Sequence, residues 1–251
     1  MRNHLEVLVL SCEHAGNHVP ARYHHLFTDQ SGVLETHRAY DLGIYSIARK
    51  LAHRLDCLVF AFSVTRLLVD VNRSIGHPDL LSEFSRGLPT YEKEHLIRVY
   101  YRPYRERVTK VIQQHVARGW CVLHISLHSF APVVKERTRN ADIGLLYDPR
   151  CLREKYLAKR LQEQLAGSTG LRVRRNYPYR GVSDGLVTSL RRQFTELLYS
   201  GLEIELNQRL LEKASVGTRR HAANGLVNIL SERIACLLRV DDQPGQCASI
   251  E

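Results

Sequence analysis

Residues 5 to 20 read LEVLVLSCEHAGNHVP. The run LEVLVLS has the length and apolar content of a mostly buried β-strand. It ends in a loop that gathers Glu13, His14, Gly16, Asn17, His18 and Pro20 into eight residues. A polar turn rich in histidine is one account of that loop; half of a metal site is the other. Three more β-like runs close on polar clusters in the same way: RLLVDVNRS (66 to 74), HISLHS (124 to 129) and GLEIELNQ (201 to 208).

The rest of the chain alternates with these runs. From about 32 to 55, Leu34, Ala39, Leu42, Ile47 and Leu51 fall at helical spacing, with a break near Gly43. Further helices are predicted at about 91 to 118, bent at Pro103, and at 151 to 166, 185 to 198 and 220 to 238. Strands are predicted at 57 to 63, 66 to 72, 120 to 129, 141 to 148, 171 to 176 and 201 to 207, with a loop at 74 to 90 and a loose tail after about 241. Strands alternating with helices predict an α/β fold with a mixed, mainly parallel sheet covered on both faces. In such sheets the chemistry gathers at the carboxyl ends of strands, so the polar clusters are expected to converge on one cleft.

A chain of 251 residues with 44% hydrophobic and 25% charged residues fits one soluble domain spanning 1 to 251 and excludes a disordered chain. No apolar run approaches the roughly 20 residues of a membrane helix. The short N-terminal apolar stretch carries Glu6, which argues against a cleaved secretory signal and predicts a cytoplasmic protein. Cys12, Cys57, Cys121, Cys151, Cys236 and Cys247 are far apart, without the close pairs of zinc ribbons, and are expected to be reduced. The formal charge of +10 raises the question of nucleic acid. Its arginines and lysines are spread along the chain, which favours attraction of a small anionic substrate instead.

His14 and His128 are the strongest metal candidates, because each follows an apolar strand where an imidazole nitrogen can face a cleft. His124 shares the face of His128 but lies further from the strand end. A hydrolytic zinc site takes three protein ligands and keeps one open position. Asp41, a carboxylate interrupting an apolar helical face, is the choice for the third, with Glu13 and Asn17 behind it; a helix cap or a pair with Arg38 is the bland account. Glu203 and Glu205 share one face of their strand, and Glu205, nearer the end, is the candidate general base. Asn72 and Arg73 suit a substrate carboxylate, unless Arg73 merely pairs with Asp70. Arg180, in NYPYRG, is a candidate for holding a carboxylate or polarising a carbonyl. No glycine-rich phosphate loop is present.

Taken in order, SCEHAGNHVP, HRAYDLG, RLLVDVNRS, HISLHSF, ADIGLLYDP, NYPYRG and GLEIELNQ resemble the N-formylglutamate amidohydrolase family, related to zinc carboxypeptidase-like hydrolases, over roughly residues 9 to 208. The resemblance implies a phosphorylase/hydrolase-like, three-layer α/β/α fold with one zinc. It maps the metal-binding histidines onto His14 and His128, the Asn-Arg substrate clamp onto Asn72 and Arg73, and the catalytic glutamate onto Glu205. The carboxypeptidase-like relatives carry an acidic ligand three residues after the first histidine, and that position here is Asn17, which leaves Asp41, Glu13 and Asn17 open as the middle ligand. The expected reaction is hydrolysis of the amide of a small, carboxylate-bearing N-acyl amino acid. Zinc would polarise the acyl carbonyl, Glu205 would serve as base then acid, and Arg180 would steady the oxyanion. The alternatives are a related deacylase or peptidase acting on another N-acyl compound, a zinc-containing binding protein without turnover, and a basic nucleic-acid-binding protein without catalysis.

Overall fold

The computed structural model describes residues 6–212 and 218–240; the tail after 241, including Cys247, lies outside the described residues. In chain order the elements are β1 (Glu6–Cys12), α1 (Ile44–Leu55), β2 (Leu58–Ala61), α2 (Thr90–Leu96), α3 (Arg102–Ala117), β3 (Cys121–Phe130), β4 (Val133–Val134), β5 (Arg137–Thr138), β6 (Ile143–Leu146), α4 (Leu152–Thr169), β7 (Val173–Arg175), α5 (Leu186–Arg191), β8 (Tyr199–Asn207), α6 (Gln208–Glu212) and α7 (Thr218–Val240). Short 3-10 turns occupy Ala21–Phe27 and Ser31–Glu35.

The main sheet runs β2-β1-β3-β8-β6-β7. Its first four strands are parallel, β6 is antiparallel to β8, and β7 is parallel to β6. The sheet is therefore mixed and mostly parallel. Alternation along the strands builds two different faces. Leu8, Leu10, Leu123, Ile125, Leu127, Leu202, Ile204 and Leu206 bury one face against α1, α4 and α7. The opposite face begins apolar, with Val9, Val122 and Tyr199 packed beneath α3 and α5. Toward the carboxyl ends it becomes polar: Ser11, Ser126 and Glu203 lie level across three strands, and His128 lies beside Glu205. Helices on both faces complete a three-layer α/β/α arrangement.

Several elements differ from expectation for identifiable reasons. The helix expected from 32 begins only at Ile44, because Gly43 takes a left-handed conformation (φ 76°) at its N-cap. The stretch before it is a turn tied to the first loop by Asp41 N donating to His14 O (3.0 Å). Residues 66 to 72 form turns rather than a strand: Leu67, Leu68, Val69 and Val71 are buried as loop residues in the second core. The helix expected over 91 to 118 is interrupted by a π-helical segment, Ile97–Tyr101. Pro103 falls where this π-helical segment passes into α3, so the helix accommodates a residue without an N–H by a local change of winding. The helix expected at 185 to 198 is only α5, and the β4–β5 hairpin had no counterpart in the sequence reading. Among the described residues no helix is long and apolar enough to cross a membrane.

Two glycines respond oppositely to alanine. A Cβ at Gly144 would overlap the carbonyl oxygen of Tyr177, so Gly144→Ala should lower stability by about 2–3 kcal/mol in chemical denaturation. Gly225, within α7, has nothing within 4 Å of a modest side chain, and Gly225→Ala should raise stability by about 0.5–1 kcal/mol.

A second expectation concerns acid. His124 is fully buried between Ser11 Oγ and Tyr199 OH, both at 2.8 Å, and burial pushes its pKa down to about 4. The unfolded chain protonates this ring below about 6.5 while the folded chain keeps it neutral. Its contribution is present above that pH and is lost as pH falls toward 4, a change on the order of 3 kcal/mol. Denaturation of His124→Asn between pH 7 and 4.5 should show a shallower loss of stability than the parent protein.

Candidate metal centre and active site

The site grows from the end of β1. Immediately after Cys12, Glu13 continues the alternation onto the polar face and is fully buried, and the chain then turns so that His14 also faces the cleft. The turn is pressed against residues 62 to 64: Ala15 N donates to Phe62 O (3.0 Å) and His18 N to Ser63 O (2.9 Å). A side chain at Gly16 would come within 2.7 Å of Ser63 O, so glycine alone fits this close approach.

Each histidine is oriented by a carboxylate at Nε2. His14 Nε2 donates to Asp70 Oδ1 at 2.7 Å, leaving Nδ1 buried without a hydrogen-bond partner. His128 Nε2 lies 3.1 Å from Glu13 Oε2 and 3.0 Å from Ser126 Oγ. Glu13 is held in turn by Ser126 Oγ (2.5 Å) and by Tyr104 OH, which donates to Oε1 at 3.0 Å. With Nε2 engaged in both rings, both Nδ1 atoms turn toward Asp41, at 3.6 Å for His14 and 2.8 Å for His128. Asp41 also accepts hydrogen bonds from Ser129 N (3.2 Å) and from the Arg66 guanidinium. His14, Asp41 and His128 can each offer one donor atom within 4.8 Å of the other two.

Burial opposes charge throughout this cluster, and the partners outweigh it. Glu13 is held far below the usual carboxylate range by His128 and the serines. Asp41 is held down by Arg66 and the two histidines, and Asp70 by His14, Arg66 and Arg73. His128, set between Asp41 and Glu13, is pushed well above an ordinary histidine despite its burial. Glu205 behaves differently. It is buried beside His128, its Oε2 has no hydrogen-bond partner, and burial raises its pKa to about 7 although the nearby His128 pulls the other way. Such a carboxyl is tuned for proton transfer near neutral pH.

The donor set fits a divalent metal. Two imidazole nitrogens and one carboxylate oxygen suit zinc with a position left open, and the unpartnered Nδ1 of His14 is a buried atom that a cation would satisfy. The other middle-ligand candidates lie elsewhere. Asn17 Nδ2 donates to Leu34 O (2.8 Å) and Glu35 Oε1 (3.2 Å), and Glu13 sits behind His128. Asp41 pairs with Arg66 rather than Arg38, which binds Glu83. Asp70 Oδ1 accepts from His14 Nε2 and from Asn72 N rather than from Arg73.

Asn72 and Arg73 follow Asp70 but are partly committed: Asn72 Oδ1 accepts from Leu186 N (2.8 Å), and Arg73 Nη1 donates to Asp184 O (2.9 Å). Arg73 Nε is buried without a partner. Arg180 is exposed and forms no ion pair among the described residues. The residues that sequence reasoning passed over are the supporting ones: Arg66, Ser126, Tyr104, and Asp70 as the partner of His14. Asp70 and Ser126 lie within the quoted motifs, whereas Tyr104 sits on a helix that carries no local signal.

The sequence model of the N-formylglutamate amidohydrolase family matches residues 7–212. Among solved structures, the chain is similar to gene product Atu2144 from Agrobacterium tumefaciens, at 27% identity over 93% of this chain and 92% of that chain, with a TM-score of 0.76. It shares the fold of an N-formylglutamate amidohydrolase from Ralstonia eutropha JMP134, at 20% identity over 93% and 94% of the two chains, with a TM-score of 0.65. No curated protein matches. With most of its length matched and the fold shared, the chain belongs to the N-formylglutamate amidohydrolase family of enzymes that hydrolyse non-peptide amide bonds.

Proposed function

We propose that this protein is a zinc-dependent amidohydrolase that cleaves the amide of a small, carboxylate-bearing N-acyl amino acid resembling N-formylglutamate. The observation that carries the reading is the meeting of His14, Asp41 and His128 beside the under-bonded Glu205. Zinc bound by those three residues supplies a Lewis acid for the acyl carbonyl and an acidified water.

The chain's own groups account for the remaining work. Glu205 accepts a proton from the attacking water and delivers it to the leaving amine as the carbon–nitrogen bond breaks. Arg66, which touches Asp41, offsets the negative charge that builds on the acyl oxygen. This is the role the sequence reading gave to the exposed Arg180. Asn72 and Arg73 hold the substrate carboxylate through the Asn72 amide and the Arg73 guanidinium. Glu13 and Asp70 keep each imidazole in the tautomer that turns Nδ1 inward. We read the whole chain as one hydrolase domain working in the cytoplasm, in keeping with the free thiols of its five described cysteines.

Protein purified without added metal should contain one zinc per chain by elemental analysis, and His14→Ala and His128→Ala should lose it. Glu205→Gln should keep the metal while losing turnover by about 100-fold or more. Full activity after metal depletion would overturn the reading. Replacing Glu13 with glutamine removes an acceptor from His128, and zinc affinity in competition with a chelator should fall by about 10–100-fold. Hydrolysis of N-formylglutamate, its acetyl counterpart and dipeptides, compared side by side, identifies the acyl group.

A further inference from the structure

A chain of buried hydrogen bonds leads from the clustered histidines down the polar face of the sheet, away from the cleft. It starts at Glu13, which meets His128 Nε2 (3.1 Å) and accepts from Ser126 Oγ (2.5 Å). Ser11, two residues before Glu13 on the same face of β1, lies level with Ser126. Burial would raise the Glu13 carboxyl, and hydrogen bonds from His128, Ser11 and Ser126 hold it down. Ser11 Oγ in turn meets His124 Nε2 at 2.8 Å, and His124 Nδ1 meets Tyr199 OH at 2.8 Å. Ser11, Glu13, His124, Ser126 and Tyr199 are all buried. A glycine makes room for the far end. Gly201 stands opposite His124 in the strand pairing, and a Cβ there would come within 2.9 Å of the Tyr199 phenol oxygen. With no side chain in the way, the phenol reaches the imidazole.

The protons available give this chain a direction. Burial keeps His124 neutral at neutral pH, so its ring carries one N–H. The single proton of Ser11 goes to the Glu13 carboxylate, so the Ser11 oxygen accepts from His124 Nε2–H. His124 Nδ1 is then bare and accepts from the Tyr199 O–H. With the ring proton on Nδ1 instead, Ser11 would have to turn its hydroxyl to the ring and away from Glu13. Phenol, imidazole and serine therefore each donate toward Glu13, which has no proton to give and takes the N–H of His128 Nε2. Buried groups linked in this way polarise one another, so a break at one link is felt at the next.

We propose that His124 and Tyr199 are positioning residues for the candidate metal site: acting through Ser11 and Glu13, they fix the setting of His128, with Nε2 engaged and Nδ1 facing Asp41. The inference rests on the amidohydrolase reading only for the use to which His128 is put, because the setting of the ring is measurable without metal.

Two measurements on the full chain test this relay. In nitrogen-15 imidazole spectra of protein stripped of metal, His124 should carry its proton on Nε2, and Tyr199→Phe, which removes one oxygen, should shift the Nε2 resonance of His128. In competition with a chelator, Tyr199→Phe should weaken zinc binding about threefold to tenfold, less than direct partners of a ligand contribute. His124→Leu should weaken it further, and His124→Gln, whose amide can still donate to Ser11, should recover most of that loss. The deciding comparison is made in the Ser11→Ala background: with the relay already cut, adding Tyr199→Phe should cost no further zinc affinity. A purely structural role would lower stability and weaken zinc binding equally in both backgrounds. Should His124→Leu not fold, Tyr199→Phe and Ser11→Ala, which each remove one oxygen, decide alone. Unchanged zinc affinity in Tyr199→Phe, equal losses with and without Ser11, or a His124 ring protonated on Nδ1 would overturn the proposal. Zinc uptake with the relay effect intact but no hydrolysis of N-formylglutamate would defeat the amidohydrolase reading and leave the relay standing. If no zinc is taken up, the metal reading falls and the His128 resonance decides: a shift in Tyr199→Phe that vanishes in the Ser11→Ala background supports the relay, and no shift overturns it.

Discussion

Three carboxylates and two imidazoles leave water together at the carboxyl end of this sheet, and they can do so only because nearly every one of their polar atoms has a partner. The pairing is ordered. Asp70 and Glu13 take the Nε2 atoms of His14 and His128 from outside, which forces both Nδ1 atoms inward onto Asp41, itself neutralised by Arg66. The inward side of the cluster therefore presents two nitrogens and an oxygen as a consequence of satisfying the outward side. One nitrogen, Nδ1 of His14, is the exception that a cation would resolve.

The sheet supplies the ranks in which these groups stand. In parallel strands, side chains of matching register lie side by side, so His128 and Glu205 are neighbours although 77 positions separate them in the chain. The same face that carries Val9, Val122 and Tyr199 into the core carries Ser11, Ser126 and Glu203 to the cleft. A shift of one residue in any of these strands would exchange the polar face for the leucines that pack on α1, α4 and α7. Core packing and site geometry are thus one constraint.

What could be read from sequence was what strand alternation dictates. The runs ending at His14, His128 and Glu205 stood out because buried strands are apolar and their ends need not be, and the bounds of β1, β3 and β8 lie within two residues of the expected spans. Asp41 was noticed for interrupting an apolar pattern, but it reaches the cluster from a turn before α1 rather than from a helical face. Residues 66 to 72 misled because burial in a loop produces the same apolar composition as burial in a strand. The partnership of Asp70 with His14 spans 56 residues, and no local spacing reports it. Arg180 drew attention through the tyrosines and proline around it, whereas Tyr199 carried no pattern; its hydrogen bond with His124 exists only in three dimensions.

The reversal of β6 has a consequence for how such a protein can diversify. Because β6 runs against β8, its amino end lies next to Asn207, at the same rim as the outgoing ends of β1, β3 and β8. The connection between β3 and β6 therefore borders the cleft while contributing none of the clustered histidines or their carboxylates. Lengthening, shortening or recolouring that connection would retailor what enters without disturbing the clustered histidines and carboxylates, so ancestry can preserve the chemistry while clientele changes.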